Sequence, residues 1–211
     1  MLINFKYLIN KFNLKIKGIL HIGAHECEEL TSYVNNNIPI ENQLWIEAIP
    51  EKVDISKNLY PGVNIINSVV TDEDGKLVTF KVTNNYQSSS ILDLKVHLTE
   101  HPEIYVTNSF ECKTKTIKTI YEENNIDKDK YNFINLDIQG AELLALKGMG
   151  EILNNFDYIY TEVNEKELYS GCDLLPELDL FLQQYSFVRV ETCMTRHSWG
   201  DAFYIKNTLR Q

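Results

Sequence analysis

At 211 residues, with 44% hydrophobic and 24% charged side chains, the chain can form one large domain around a sizeable core, and neither a disordered chain nor a membrane protein has this composition. A formal net charge of -10 repels a phosphate backbone, so no nucleic-acid partner is expected. Cys27, Cys112, Cys172 and Cys193 form no CxxC pair and no zinc pattern; with no signal-peptide pattern at the N-terminus, the expectation is reduced thiols, a cytoplasmic location and no metal.

The first segment, MLINFKYLINKFNLK, sets Leu2, Ile3, Phe5, Leu8, Ile9 and Phe12 at helical spacing. It predicts a helical extension over 1–15 that packs on the domain following it, rather than an anchor on a membrane surface. From 16 to 211 a single domain is expected, in which strand and helix alternate. A strand from Lys17 to Ile22 leads to a helix from Glu26 to Asn35, and a strand from Leu44 to Glu47 to a helix from Glu51 to Asn58. Asn64 to Val70 and Lys76 to Val82 read as strands joined by a tight turn at Asp74-Gly75. Residues 84–109 are polar and poorly periodic, the candidate for a lid or insert. Then come a helix from Lys118 to Asn125, a strand from Asn132 to Asp137, a helix from Ala141 to Leu153, a strand from Tyr158 to Val163 and a helix from Leu174 to Tyr185. Two late strands, Phe187 to Thr192 and Asp201 to Lys206, close the chain. Such alternation predicts a mainly parallel sheet flanked by helices, with an antiparallel pair at its edge.

In a sheet of this kind ligands lie beyond the carboxyl ends of the strands, near the point where strand order reverses. Those ends carry Gly23-Ala24-His25, Glu47, Thr71-Asp72, Asp137 and Glu162. In GILHIGAHECEEL an apolar run breaks at Gly23, and so abrupt a turn is expected to leave backbone N–H groups free for a cofactor bearing a negative group. Cys27 stands where a GxGxxG cradle has another glycine, which favours a smaller nucleoside cofactor over a dinucleotide. Glu47 follows Leu44-Trp45-Ile46, the placement of a carboxylate that accepts ribose hydroxyls; a helix-entry carboxylate is the alternative.

HIGAHECEEL, WIEAIPE, NSVVTDEDG, FINLDIQGAELLALKGM and YIYTEVNEKELYSGC follow one another from Lys17 to Lys206 in a pattern that resembles the FkbM family of S-adenosylmethionine-dependent methyltransferases. DIQGAELLALKG is its most specific piece. The resemblance implies an α/β, Rossmann-like class I methyltransferase fold, with a mainly parallel seven-stranded sheet, an antiparallel edge strand and helices on both faces. It also implies S-adenosylmethionine as cofactor. By the same resemblance Gly23, Ala24 and His25 approach the methionine portion, Glu47 with Ala48 the ribose, Thr71 and Asp72 the adenine, and Asp137 and Gln139 the reactive end. His21, His25, Cys27 and Leu30 stand where the common family turn, DIGANxGxxT, has Asp, Asn, Gly and Thr.

Methyl transfer from a sulfonium needs an aligned acceptor oxygen and a place for its proton. Asp137 and Glu162 are the expected base or positioning carboxylates, and His25 is an alternative base, although a lone histidine is often only a hydrogen-bonding residue. Gly140 permits a sharp turn, and Glu142 in the first helical turn reads equally as a cap or as cofactor support. Gln87 to Leu92 and Asn164 to Cys172 should border the acceptor; TRHSWGDAF offers His197 as a further alternative base and Trp199 and Asp201 as acceptor-lining residues, and reads equally as a turn between edge strands. Tyr86, Tyr105, Tyr169 and Trp199 either stack on a sugar face or pack. The expected activity is O-methylation of a sugar or glycan-containing acceptor. Methylation of a lipid, peptide or small metabolite, and a cofactor-binding module without turnover, are the alternatives.

Overall fold

Near-continuous apolar runs belong to strands covered on both faces, and in the computed structural model, which describes residues 1–209, these runs build one seven-stranded sheet. The elements in chain order are α1 (Phe5–Phe12), β1 (Ile19–Ile22), α2 (Leu30–Asn35), β2 (Gln43–Glu47), α3 (Pro50–Leu59), β3 (Asn64–Asn67), β4 (Val69–Val70), β5 (Leu77–Thr83), α4 (His97–Glu100), β6 (Val106–Lys115), α5 (Ile117–Glu123), β7 (Phe133–Leu136), α6 (Glu142–Lys147), β8 (Tyr158–Asn164), α7 (Leu175–Gln184), β9 (Phe187–Met194) and β10 (Trp199–Lys206). Across the sheet the order is β3-β2-β1-β7-β8-β10-β9. The pairs from β3 to β8 are parallel, and β10 runs antiparallel to both its neighbours. This is the mainly parallel, Rossmann-like sheet with an antiparallel pair at one end that the alternation of elements predicts. The chain steps outward from β1 to β3 and returns to β7 on the other side of β1, so strand order reverses between β1 and β7.

Alternate side chains of each strand enter two separate cores. Leu20, Ile22, Leu44, Ile46, Ile134 and Leu136 face α5, α6 and α7. Ile19, Trp45, Phe133 and Tyr160 meet α1 and α2 on the opposite face. The N-terminal helix is capped by Asn4, whose side chain accepts from Tyr7 N, and packs Phe5 edge-on against Tyr33 and Phe133 at 4.9 and 5.4 Å. No helix among the described residues is long and apolar enough to cross a membrane.

Several sequence expectations change. The strand from Asn64 to Val70 is two strands: β3 stays in the main sheet, while β4 leaves it to pair with β6 in a three-stranded sheet, β4-β6-β5. β5 pairs with β6, not with β4, so Asp74-Gly75 joins no hairpin. Asp74 instead accepts from Thr116 N at 2.7 Å and Thr119 Oγ1 at 2.8 Å at the start of α5. β6 takes the last four residues of the polar stretch 84–109. The helix expected from Glu26 begins only at Leu30, because His25 and Cys27 are left-handed (φ 45° and 58°). The one expected through Leu153 stops at Lys147 and is followed by a 3-10 segment, Gly150–Asn155. Residues 84–105 fold back over the carboxyl ends of the strands, held by Lys81 to Ser90 and Leu94 to Tyr169 bridges.

Candidate functional site

Ile22 pairs with both Ile46 and Leu136, so Gly23, Glu47 and Asp137 arrive together where the strand order reverses. Gly23 adopts φ +90°, and a Cβ there would lie 1.7 Å from the Asp137 carbonyl oxygen. Only glycine lets the two strand ends approach so closely. The backbone donors of this turn are not free, contrary to the sequence expectation. Gly23 N and Ala24 N both donate to Ile46 O (2.9 and 3.0 Å), His25 N to Glu47 Oε2 (2.7 Å), Glu26 N to Glu28 Oε2 (3.2 Å) and Cys27 N to Ala24 O (2.7 Å).

A cleft opens beside Gly23, with apolar walls from Ile46, Ile49, Val69, Val70 and Phe80. Glu47 stands in it, accepting from His25 N and from Ile49 N, each at 2.7 Å. Burial pushes its carboxyl above the usual carboxylate range. Two backbone donors leave part of its acceptor capacity for a ligand. His25 lines the same cleft; its Nδ1 pairs with Glu28, and its buried Nε2 has no partner. An apolar slot, a carboxylate with spare lone pairs and an unpartnered imidazole nitrogen suit the base and diol of the expected nucleoside cofactor. Ala48 lines this cleft, whereas Ala24 is buried in the core behind the turn. Thr71 and Asp72 line neither this cleft nor the larger cavity beside it. Since β4 leaves the main sheet early, Ser68, Val69 and Val70 take the expected adenine wall, and Thr71 turns its hydroxyl to Glu73 O at 3.1 Å. Tyr86 lines the cleft's outer side under the Lys52 ammonium, 4.1 Å from its ring centre.

The larger cavity, about 460 Å³, shares Gly23, His25 and Gln87 with the cleft. Asp137, Gln139 and Glu162 meet on its wall. Gln139 Nε2 donates to Asp137 Oδ1 at 2.7 Å and to Glu162 Oε2 at 2.6 Å, and the Tyr169 hydroxyl, 2.6 Å from Gln139 Oε1, fixes the amide's orientation. Burial, followed by the negative charge of Asp137 and Glu142, pushes the Glu162 carboxyl well above its ordinary range. Glu142 itself caps the turn, accepting from Ile138 N (2.9 Å) and Gly140 N (3.0 Å), and lines neither cavity. Trp199 and Asp201 join the larger cavity. His197 stays outside it, bound to Glu100 at 2.8 Å, and Tyr105 is 58% exposed on the surface. Six carboxylates line the cavity, from Glu28, Glu29, Glu103, Asp137, Glu162 and Asp201, with no Lys or Arg among the described residues; the Met1 ammonium also reaches it, 3.6 Å from Glu29.

His21, Tyr160, His97 and His101 also line this cavity, and the sequence did not single them out as site residues. The i, i+4 spacing of His97 and His101 in the polar stretch was the available signal.

The family model of the Methyltransferase FkbM domain matches residues 21–189. The 2-O-methyltransferase NoeI of Sinorhizobium fredii is 31% identical over 103 residues, 46% of this chain and 42% of the relative. The match thus spans about two-fifths of that protein's length. Among solved structures, methyltransferase FkbM from Methylobacillus flagellatus KT superposes with a TM-score of 0.54 at 14% identity, over 89% of this chain and 43% of that one. A Staphylococcus aureus protein provisionally named a caffeoyl-CoA O-methyltransferase gives 0.51 at 15% identity, over 95% and 80%. These two structures share the fold.

Proposed function

Because the chain belongs to the FkbM family of S-adenosylmethionine-dependent methyltransferases, we propose that it carries the methyl group of that cofactor to a hydroxyl of a sugar or glycan-containing acceptor. The observation carrying this reading is the pair Asp137 and Glu162, bridged by Gln139, on a cavity that no Lys or Arg side chain lines among the described residues. An uncharged polyol suits such a wall, whereas a phosphorylated acceptor would face six carboxylates, with only the Met1 ammonium, already 3.6 Å from Glu29, to set against them. The 2-O-methyltransferase relative supports oxygen as the methylated atom.

When bound, S-adenosylmethionine supplies a methyl group already activated on sulfur. The apolar cleft takes the adenine, Glu47 takes the ribose hydroxyls, and Gly23, His25 and Gln87, shared by the two cavities, border the junction where methyl donor and acceptor meet. Asp137 and Glu162 hold the acceptor oxygen by its proton and take that proton as the carbon–oxygen bond forms and the carbon–sulfur bond breaks. Gln139 keeps the two carboxyl groups at one distance while their shared charge changes. Tyr169 and Trp199 offer aromatic faces to a sugar ring, and residues 84–105 serve as the lid over it. Four unpaired cysteines support a reducing compartment, the cytoplasm.

The test is incubation with S-adenosylmethionine and a panel of uncharged glycosides, sugar phosphates, lipids and peptides, read by mass spectrometry for the gain of one CH2. Methylation of the glycosides in preference to the phosphates is expected. Turnover confined to the lipids, peptides or phosphates would overturn the acceptor assignment.

A further inference from the structure

His21 sits on β1, two residues before the Gly23 turn, in register with Trp45 and Asn135 on the flanking strands. It is 3% exposed, stacked on Trp45 at 4.3 Å between ring centres, and lines the larger cavity. Its Nδ1 lies 3.1 Å from the Tyr33 hydroxyl, which also accepts from Asn135 Nδ2 at 2.7 Å. Burial raises the Tyr33 pKa well above its ordinary range, so the phenol keeps its proton; with Asn135 donating to its oxygen, that proton points to His21 Nδ1. The imidazole is therefore an acceptor at Nδ1 and carries its hydrogen on Nε2. Burial also lowers the His21 pKa, which keeps the ring neutral, and no protein group among the described residues bonds Nε2.

The cofactor brings an α-ammonium and an α-carboxylate. Glu28, paired with His25, and Glu29, paired with the Met1 ammonium, line the cavity, and acceptor capacity left on them suits the cofactor's ammonium. Among the described residues the carboxylate finds no Lys or Arg there, the Met1 ammonium on the same wall is paired with Glu29 at 3.6 Å, and every backbone N–H from Gly23 to Cys27 is already committed. We propose that His21 Nε2–H is the donor to the α-carboxylate of the cofactor's amino-acid end, with the Asn135 and Tyr33 chain locking the ring in the one tautomer able to donate. The assignment rests on Glu47 as the ribose carboxylate, because that seating directs the amino-acid end past Gly23 toward His21.

Calorimetry on the full chain tests it with two ligands, S-adenosylhomocysteine and its decarboxylated analogue, which keeps the amine. A hydrogen bond to a charged group predicts that the wild type binds the analogue roughly 10- to 100-fold more weakly. His21→Phe, which keeps the stack on Trp45, should bring that ratio close to one, and His21→Gln, with a terminal amide N–H, should retain part of it. An unchanged ratio in His21→Phe, or no discrimination in the wild type, overturns the assignment. Should His21→Phe fail to fold, Tyr33→Phe combined with Asn135→Ala removes both donors that face Nδ1 (3.1 and 3.4 Å), releases the tautomer lock and must also lower the ratio; an unaltered ratio there is equally fatal. If Glu47→Ala leaves the affinity of both ligands unchanged, the seating itself is wrong and the His21 assignment goes with it.

Discussion

Gly23 and Gly62 form a matched pair for measuring how much the contact between β1 and β7 contributes. Their φ angles are nearly identical, +90° and +91°, but a Cβ at Gly62 meets nothing within 4 Å, whereas one at Gly23 meets the Asp137 carbonyl at 1.7 Å. Gly62→Ala therefore reads the positive-φ penalty alone, about 1–3 kcal/mol. Gly23→Ala carries the same penalty and must also push the strand ends apart by more than an ångström. That movement opens the Asp137 N to Ile22 O bond and strains the two bonds to Ile46 O. At about 1 kcal/mol per hydrogen bond, the three add about 3 kcal/mol. Gly23→Ala should thus lose about 4–6 kcal/mol, a large share of the roughly 5–15 kcal/mol typical of a folded domain. Equilibrium urea unfolding of both variants, compared at a common m-value, measures the difference. Equal losses at the two sites would refute the reasoning, since the close approach would then carry no energy of its own.

Glu47→Ala should weaken S-adenosylhomocysteine binding at least about ten-fold, the scale of a lost hydrogen bond to a carboxylate, as read by calorimetry. Asp137→Asn and Glu162→Gln should each lower kcat by about 10²–10⁴-fold with little change in cofactor affinity, and the double variant should be scarcely worse than either single one; full kcat in either single variant would exclude it from proton transfer. Because the Glu162 carboxyl titrates above its ordinary range, kcat should rise with pH through that raised value, and Glu162→Gln should remove the inflection. Burial pushes Glu142 up to about 7 from an ordinary 4.5. The folded state therefore holds this proton more tightly than the unfolded chain, and the stabilisation is full below pH 4.5 and declines as pH rises toward 7. Urea midpoints should fall across that window in the wild type and less steeply in Glu142→Gln.

The sheet was legible because its strands are buried on both faces and appear as apolar runs, and the short link between β9 and β10 announced an antiparallel pair. β6 was not, since VTNSFECKTK is mostly exposed along its length and an exposed strand leaves no apolar period to read. The early start given to α2 failed for a local reason. Two non-glycine residues in left-handed conformation, His25 and Cys27, bend the turn so that His25 N reaches Glu47, and nothing in the residue types demands this. Glu47, Asp137 and Glu162 were readable as single carboxylates closing apolar strands. Thr71 and Asp72 were assigned on the same rule, but the strand they were thought to end leaves the sheet after Asn67. His21 needed more than a strand position, because its role depends on Tyr33, Trp45 and Asn135, which only the folded chain brings beside it.

Gln139 is held from two directions. Its side chain joins the two carboxyl groups, while its backbone carbonyl accepts the Ser90 hydroxyl at 2.8 Å, and Tyr169, which orients its amide, lies 3.2 Å from Ser88 O as well. Residues 84–105 are thus moored to the same peptide that organises the acid pair. On the proposed function, a swing of this segment wide enough to admit an acceptor would pull on Gln139 and loosen the carboxylates, and its return would tighten them again. Entry of the acceptor and readiness to take its proton would then be one mechanical event, so a variant that merely cuts the mooring, such as Ser90→Ala, is expected to alter both together.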